Sequence, residues 1–244
     1  MMKERIIANI RHTRQRITHA CQEGGRDPQT VRLLLATKTV PAATIRIAIE
    51  AGERLTGENK VQELRDKDEA LAGLPIERHF IGHLQTNKIK EVLRYVTCIQ
   101  SLDRLQVAQE LDKRLQAEGR SLDVFIQVNT SGETSKFGID PAEAVAFLKM
   151  VSAYDTLRIR GLMTIGLLDA EKEKMRPSLT LLRTTRDHLL QEGLAGIHTL
   201  QLSMGMSQDL EMAIAEGADI VRVGTAVFGN RIPGKEVWNE EGVE

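Results

Sequence analysis

Short apolar runs alternate along the chain with longer runs in which apolar positions recur every three or four residues. The short runs have the length of buried strands, and the longer runs have the period of helices with one buried face. This alternation is typical of βαβ units, in which helices cover a parallel sheet. The predicted strands are residues 31–36, 54–56, 77–81, 96–100, 122–128, 157–161, 199–202 and 219–223.

The runs between these strands predict a helix or a helical turn after each strand. Asp103 is predicted to cap the helix after strand four, and Pro141 takes the first position of the helix after strand five. One more helix precedes the first strand and ends at the Gly24-Gly25 pair. The predicted helical segments are residues 2–24, 42–51, 60–72, 87–94, 103–118, a helix that opens at 140–141, 171–191 with a kink near Pro177, 208–216, and a turn from 225.

Eight strand–helix units are the number that closes a (β/α)8 barrel. We therefore predict an α/β fold, a single TIM barrel with an extra N-terminal helix, as one domain over residues 1–244. An open doubly wound sheet is the alternative, and it favours a glycine-rich loop after the first strand. The chain instead has Thr37-Lys38-Thr39 at that position.

Composition narrows the class of protein. The formal net charge is -1 and aromatic residues make up 3%, so neither a basic surface nor stacking platforms for nucleic acid are expected. No run is apolar and long enough to predict a membrane span, and residues 1–10 lack the apolar segment of a signal peptide. Cys21 and Cys98 fit neither a metal site nor a disulfide framework, which favours a reducing compartment, the cytoplasm.

The carboxyl ends of the strands are where barrel proteins build their sites. Lys38 follows the apolar strand 31–36, and partial desolvation there would favour a neutral amine that attacks an aldehyde. From its position alone, a lysine whose ammonium group reaches past the rim into water is the other interpretation.

The loops after strands seven and eight carry small polar residues where barrels commonly bind phosphate. Gly205 allows the backbone to approach an anion, and Ser207 precedes a predicted helix whose N–H groups favour negative charge. Gly224 and Thr225 repeat this arrangement one strand later. Ordinary helix capping is the alternative for either loop taken alone.

Glu58, His83 and the Ser135-Lys136 pair are further polar positions at the predicted rim, and ordinary structural roles can explain each of them. Glu58 could pair with a cation at the rim, and His83 could act as a base or only as a hydrogen-bonding residue. The Ser135-Lys136 pair could close over a ligand or lie in a solvated loop.

Short motifs in a consistent order span nearly the whole chain. They are Ala36-Thr-Lys-Thr39, Gly57-Glu-Asn-Lys-Val-Gln-Glu63, His79-Phe-Ile-Gly82 with Leu84-Gln-Thr-Asn-Lys88, Gly161-Leu-Met163, Ser203-Met-Gly-Met-Ser207 with Asp209, and Arg222-Val-Gly-Thr-Ala226 with Phe228-Gly229. On these motifs the chain resembles the pyridoxal phosphate homeostasis protein family, whose barrel is related to the N-terminal domain of alanine racemase. Thr37 departs from the serine usual in that family but keeps the hydroxyl group.

The resemblance implies a fold-type III protein that binds pyridoxal 5'-phosphate (PLP). Lys38 would form a Schiff base with the cofactor aldehyde, Arg222 would face the pyridine nitrogen, and Asn59 would lie near the ring. The residues implied for the phosphate site are Ser203, Gly205, Met206, Ser207, Gly224 and Thr225. No metal ligand is implied.

An arginine at the ring nitrogen cannot accept a proton from it, which weakens the ring as an electron sink. The racemase relatives take a second base, a tyrosine, from an additional C-terminal domain that this chain is expected to lack. Tyr95 and Tyr154 both precede predicted strands, away from the site. We therefore expect a protein of vitamin B6 and amino-acid homeostasis that stores or delivers PLP without evident catalysis.

Two alternatives remain open at this point. One is a small PLP-dependent racemase that uses His83 or water as its second base. The other is a barrel enzyme that acts on a sugar phosphate. For the favoured function we expect PLP-dependent apo-enzymes as recipients and a monomeric protein.

Overall fold

A computed structural model of the chain describes residues 1–133, 135–167, 172–194 and 196–229. Its strands form a closed barrel in which each strand lies parallel to the next and β8 pairs with β1. The predicted (β/α)8 architecture is therefore confirmed. The strands are β1 (Arg32–Ala36), β2 (Leu55–Glu58), β3 (Glu77–Phe80), β4 (Cys98–Leu102), β5 (Leu122–Gln127), β6 (Leu157–Met163), β7 (Gln201–Ser203) and β8 (Ile220–Val223).

Helices surround this barrel, and the predicted extra helix precedes β1. Short 3-10 turns also occur at Pro28–Thr30, Thr86–Lys88 and Pro141–Glu143. The predicted start of the helix at residue 171 lies outside the described residues. The α-helices of the described segments are α1 (Met2–Glu23), α2 (Ala42–Glu50), α3 (Val61–Leu71), α4 (Ile89–Val92), α5 (Leu105–Ala117), α6 (Ala144–Val151), α7 (Lys172–Gln191), α8 (Leu210–Ala215) and α9 (Thr225–Phe228).

The region around β4 differs from its prediction. The strand begins and ends two residues later than predicted, so Ser101 lies inside the strand and not after it. Its burial continues without a break to Leu102, which pairs with Ile126 beyond a register irregularity. The two-residue shift carries the end of β4 past this irregularity.

The predicted cap of α5 was also wrong. Arg104, in extended conformation, is the residue that precedes the helix, and no side chain caps it. The Asp103 carboxylate lies beside His83 and Arg104 instead. By contrast, Asp140 accepts a hydrogen bond from the Ala142 amide, and Pro141 begins the helical turn as predicted.

The apolar core has two parts, which the barrel wall separates. The larger part lies between strands and helices, and a small cluster fills the inside of the barrel. That interior also contains polar side chains, among them His79, Gln100 and Ser203, all at most 2% exposed. The interior apolar cluster consists of Leu34, Leu55, Cys98, Phe125, Met163 and Ile220.

Helix α1 covers the side of the barrel where β8 pairs with β1. Its buried face includes Ile6, Ile10 and Ile17, and the helix packs against α2, α8 and α9. None of the described helices combines the length and apolar character that a membrane crossing requires.

Candidate functional site

A cavity of about 430 Å³ opens at the carboxyl ends of the strands, where barrel sites are built. This volume lies in the range of small-molecule pockets. Its polar lining consists of Lys38, Asn59, Ser207, Gln208, Asp209, Arg222 and Thr225, and Ala36, Ile81, Met163, Ile165, Leu167, Met175, Met206 and Gly224 complete the wall.

Lys38 reaches the cavity from the loop after β1, and both of its neighbours are anchored. Thr37 is buried and donates a hydrogen bond of 2.7 Å to the Glu58 carboxylate. Thr39 has a φ of 64°, a left-handed conformation that a β-branched residue rarely adopts. Its N–H donates to the Glu63 carboxylate at 2.6 Å. The loop is thus held by hydrogen bonds on both sides of the lysine, and its backbone is strained at Thr39.

A buried ion cluster supports this loop from below. The Lys67 ammonium contacts Glu58 at 2.8 Å, Glu63 at 2.7 Å and the Thr37 carbonyl oxygen at 2.9 Å. Burial raises the pKa of Glu58 to about 7 against the opposing charge of Lys67. Burial also acts to raise the pKa of Glu63, but the hydrogen bonds from Lys67 and Thr39 lower it on balance. The two carboxylates therefore share one cation, and Glu58 is the one that holds a proton more readily.

Asn59 follows β2 and turns towards the cavity. Its Oδ1 atom is buried and has no hydrogen-bond partner among the described residues. A buried polar atom without a partner is costly, so an unsatisfied acceptor in a cavity wall indicates a donor on a ligand or an ordered water.

Arg222 on β8 forms the floor of the cavity and is 6% exposed. It donates to the Ser203 hydroxyl at 2.9 Å and to the Thr164 carbonyl oxygen at 2.6 Å. Burial lowers its pKa to about 10, and Asp209 opposes this change. At neutral pH the guanidinium therefore remains a cation.

The loops after β7 and β8 form one end of the cavity. The Ser207 hydroxyl accepts a hydrogen bond of 3.2 Å from the Ala226 amide, which ties the two loops together. Asp209 accepts the Met206 N–H at 2.5 Å, and burial raises the pKa of this carboxyl group. Gly205 has a φ of 87°, and a Cβ atom there would overlap the Ala213 side chain. Only glycine fits this turn without strain.

The structure brings most of the predicted site residues together. Those that line the cavity are Lys38, Asn59, Met206, Ser207, Arg222, Gly224 and Thr225. Ser203 and Gly205 lie behind this wall. The Ser203 hydroxyl points into the barrel interior, where it contacts the side chains of Gln100 and Arg222. The Gly205 carbonyl oxygen accepts a hydrogen bond from the backbone N–H of Arg222.

Met206 was predicted for the site, but other apolar residues of the cavity wall, such as Ile81 and Met175, were not. Ile81 was predicted as the last residue of the third strand, but β3 ends at Phe80 and Ile81 follows it at the cavity. Met175 comes from α7, and only tertiary packing places that helix against the barrel mouth. Sequence spacing carries no signal for such a contact.

The other rim residues form a separate group. The His83 ring stacks on Phe137 at 3.7 Å between centroids and lies 2.7 Å from an Arg104 guanidinium nitrogen. Burial and Arg104 lower the pKa of His83. Lys136 donates to the Gly166 carbonyl oxygen and pairs with Glu133. None of these side chains lines the cavity, and the described residues contain no cluster that could hold a metal ion.

The chain matches the family described as alanine racemase, N-terminal domain, over residues 4–232. A pyridoxal phosphate homeostasis protein of Pseudomonas aeruginosa is 45% identical over 226 residues, which cover 93% of this chain and 96% of that protein. The chain belongs to the pyridoxal phosphate homeostasis protein family. The family expected from the sequence motifs is thereby confirmed.

Other members of the family give the same result. A pyridoxal phosphate homeostasis protein of Aquifex aeolicus is 43% identical over 217 residues, which cover 89% of this chain and 94% of that protein. The structure of PipY from Synechococcus elongatus, determined with PLP bound, has a TM-score of 0.81 and 35% identity. That match covers 92% of this chain and all of the PipY chain.

Proposed function

We propose that this protein binds PLP as a Schiff base on Lys38 and holds it for storage or delivery, without evident catalysis. The observation that carries the proposal is the placement of Lys38 and the Ser207 and Thr225 loops around one cavity. An amine that reacts with an aldehyde and a set of small polar residues that suit a phosphate are thus within reach of one ligand. PLP bound to PipY supports the same proposal.

The residues of the cavity fit the cofactor on chemical grounds. Ser207, Gly224 and Thr225 offer hydroxyl and backbone groups for the phosphate, with Met206 beside them, and Gly205 shapes their loop. Arg222 would face the ring nitrogen. The unsatisfied Oδ1 atom of Asn59 offers an acceptor near the ring. We place Ser203 behind Arg222 as its support and not against the phosphate.

When bound, PLP supplies an aldehyde that an amine captures reversibly and a ring that can withdraw electrons. In this chain Lys38 would provide the amine, and Ile81, Met163 and Met175 form an apolar wall of the same cavity. Arg222, a cation that accepts no proton, would leave the ring nitrogen unprotonated and the ring a weak electron sink. Reversible capture needs no further base, which suits a carrier.

A racemase would require a second proton-transfer group across the cavity. Tyr95 and Tyr154, the two tyrosines of the chain, precede β4 and β6 and so lie at the opposite end of the barrel. His83 is engaged by Arg104 and Phe137 outside the cavity. Of the described lining residues, Asp209 is the one carboxylate, and it is bound to the Met206 amide. These positions favour binding over racemisation.

The test is a visible absorbance spectrum of the purified protein with PLP, followed by borohydride reduction and peptide mapping. We expect a Schiff-base absorbance band that is lost in Lys38→Ala, with the reduced label on Lys38. Lys60→Ala is the matched control, because Lys60 lies on the next rim loop but not in the cavity wall. A label on another residue, or an unchanged band in Lys38→Ala, would contradict the proposal.

Free amino acid then distinguishes a carrier from a racemase. We expect added L-alanine to exchange with Lys38 and alter the spectrum while chiral analysis finds no D-alanine. Steady formation of D-alanine that Lys38→Ala abolishes would establish the racemase instead. Colourless protein that stays colourless with added PLP would favour the sugar-phosphate enzyme.

Delivery also requires a recipient. We propose PLP-dependent apo-enzymes as recipients and a monomeric, cytoplasmic carrier that folds as one domain. Transfer of PLP to an apo-enzyme, measured by its recovered activity, tests the first of these, and light scattering of the purified protein tests the second.

A further inference from the structure

A row of polar side chains crosses the inside of the barrel below the cavity. Glu77, His79, Gln100, Ser203 and Arg222 form this row, which we call the interior relay. His79 Nε2 lies 2.7 Å from a Glu77 carboxylate oxygen, and His79 Nδ1 lies 2.7 Å from Gln100 Nε2. The Ser203 hydroxyl donates to Gln100 Oε1 at 2.6 Å, and Arg222 donates to Ser203 at 2.9 Å. The relay thus connects the lower end of the barrel to the floor of the cavity.

Only closure of the barrel makes this row continuous. Gln100 lies on β4 and Ser203 on β7, and two strands separate them along the wall, so their hydrogen bond spans the interior. Gln100 and Ser203 are fully buried. At the lower end Glu77 is partly exposed and pairs with Arg32. The relay is therefore fully buried at its centre, with the partly exposed Glu77 at its lower end and Arg222 at the cavity.

The hydrogen-bonding capacity of each group determines where the protons lie. The Glu77 carboxylate only accepts, so His79 carries its proton on Nε2. Nδ1 is then an acceptor for the Gln100 amide N–H, which leaves the Gln100 oxygen for the Ser203 hydroxyl proton. Burial lowers the pKa of His79, in agreement with a neutral ring, although Glu77 opposes this.

This proton arrangement constrains Arg222. Because the Ser203 proton is directed to Gln100, an oxygen lone pair of Ser203 faces the guanidinium. The Arg222 guanidinium also donates to the Thr164 carbonyl oxygen. A buried guanidinium held by neutral acceptors depends strongly on each of them, because loss of one leaves a charge-bearing donor unsatisfied.

We propose that Gln100, held by His79, is a positioning residue that fixes the orientation of Arg222 through Ser203. Gln100 does not line the cavity. Its effect on the cofactor rests on the proposed function, whereas its effect on Arg222 does not.

The first test needs no cofactor. NMR of the unloaded protein reports the tautomer of His79 from its ring nitrogens and the rotation of the Arg222 guanidinium. We expect a proton on Nε2 alone and slow guanidinium rotation. A proton on Nδ1, or a freely rotating Arg222, would overturn the proposal even if no variant folds.

The second test compares two identical substitutions. Gln100→Met keeps the size of the side chain but removes both hydrogen bonds. We expect Arg222 to rotate freely, PLP to bind about tenfold more weakly, and the absorbance of bound PLP to shift. Gln127→Met is the control, because Gln127 is also buried, in β5, but donates to the Phe137 carbonyl oxygen outside the relay.

Substitutions of His79, the hydrogen-bond partner of Gln100, test the same relay. His79→Gln supplies one donor and one acceptor and should retain slow Arg222 rotation and native PLP affinity. His79→Leu leaves the Gln100 amide without its acceptor and should loosen Arg222. If Gln100→Met and His79→Leu lower only the unfolding temperature, Gln100 is a packing residue and the proposal fails. If wild-type protein binds no PLP, the proposed function fails, and NMR of Arg222 still decides the relay.

Discussion

Glu58 is a buried carboxyl group whose proton affinity differs between the folded and unfolded chain. Burial raises its pKa in the folded protein to about 7 from an ordinary value of 4.5. Between these values the folded state binds more protons than the unfolded state, so the stability contribution is complete below pH 4.5 and is lost as pH rises towards 7.

Glu58→Gln should remove this contribution. We expect wild-type protein to lose about 2 kcal/mol more unfolding free energy than Glu58→Gln between about pH 5 and about pH 8. Urea unfolding at both pH values measures the difference. Glu69→Gln is the control, because Glu69 is an exposed glutamate on helix α3, which follows the strand that carries Glu58. Equal pH dependence in wild type and Glu58→Gln would show that Glu58 titrates as in the unfolded chain.

The site residues show what single positions can and cannot predict. Lys38 and Thr225 follow strand ends, and both line the cavity. For Lys38, position alone had left open a side chain that reaches past the rim into water. Ser203 also follows a buried apolar segment, yet its hydroxyl points inward, because β7 extends one residue further than predicted and alternation then turns Ser203 to the interior. Whether a residue ends a strand or begins a loop therefore decides whether its side chain follows the alternation of the strand.

Helix α1 links the N-terminal end of the chain to the loop that follows β7. The Arg16 guanidinium donates to the Glu211 carboxylate at 2.6 and 2.8 Å and to the Ser207 carbonyl oxygen at 3.0 Å. Asn9 donates to the Val227 carbonyl oxygen on α9. The helix itself was predicted from its periodicity, but these contacts join residues about two hundred positions apart, and no local pattern reports them.

Arg16→Ala should therefore loosen this loop without unfolding the barrel. A paired, partly buried guanidinium contributes about 1 kcal/mol, so we expect amides of residues 206–211 to exchange about fivefold faster. Hydrogen exchange with mass spectrometry measures this. Arg16→Lys keeps the charge but not the forked geometry of the guanidinium. Its exchange rates at residues 206–211 should lie between those of wild type and Arg16→Ala.

Arg11→Ala serves as the control, since Arg11 is exposed on the same helix. Exchange that rises equally throughout the barrel would mean that Arg16 supports global stability. Unchanged exchange at residues 206–211 would mean that the contact with Ser207 does not hold the loop.

At the scale of the whole molecule, closure is the property that the alternating pattern predicted best. Eight strand–helix units are the number that closes a (β/α)8 barrel, and the strands pair around it in chain order. The interior relay could not be predicted in this way. Gln100 was placed at the end of a strand, and nothing in a single strand shows which side chains from other strands meet it inside the barrel.

Because the barrel is closed, a disrupted contact between two strands affects all of the others. A register irregularity precedes Gly161, which pairs with Phe125 while Ile159 pairs with Val124. A Cβ atom at Gly161 would overlap the Gln201 backbone on β7. Because the sheet has no free edge, β6 and β7 cannot separate without displacing their neighbours.

Gly161→Ala should consequently destabilise the whole barrel by about 3 kcal/mol or more, since the overlapped atoms belong to backbone and cannot rotate away. Urea unfolding followed by near-ultraviolet circular dichroism measures the effect. Gly24→Ala is the control, because Gly24 has a φ of -88° and a Cβ there would lie 3.5 Å from the Ala20 carbonyl oxygen, an ordinary contact. A change within about 0.5 kcal/mol for both variants would mean that β6 and β7 separate independently of the other strands. Closure would then not couple the strands as argued.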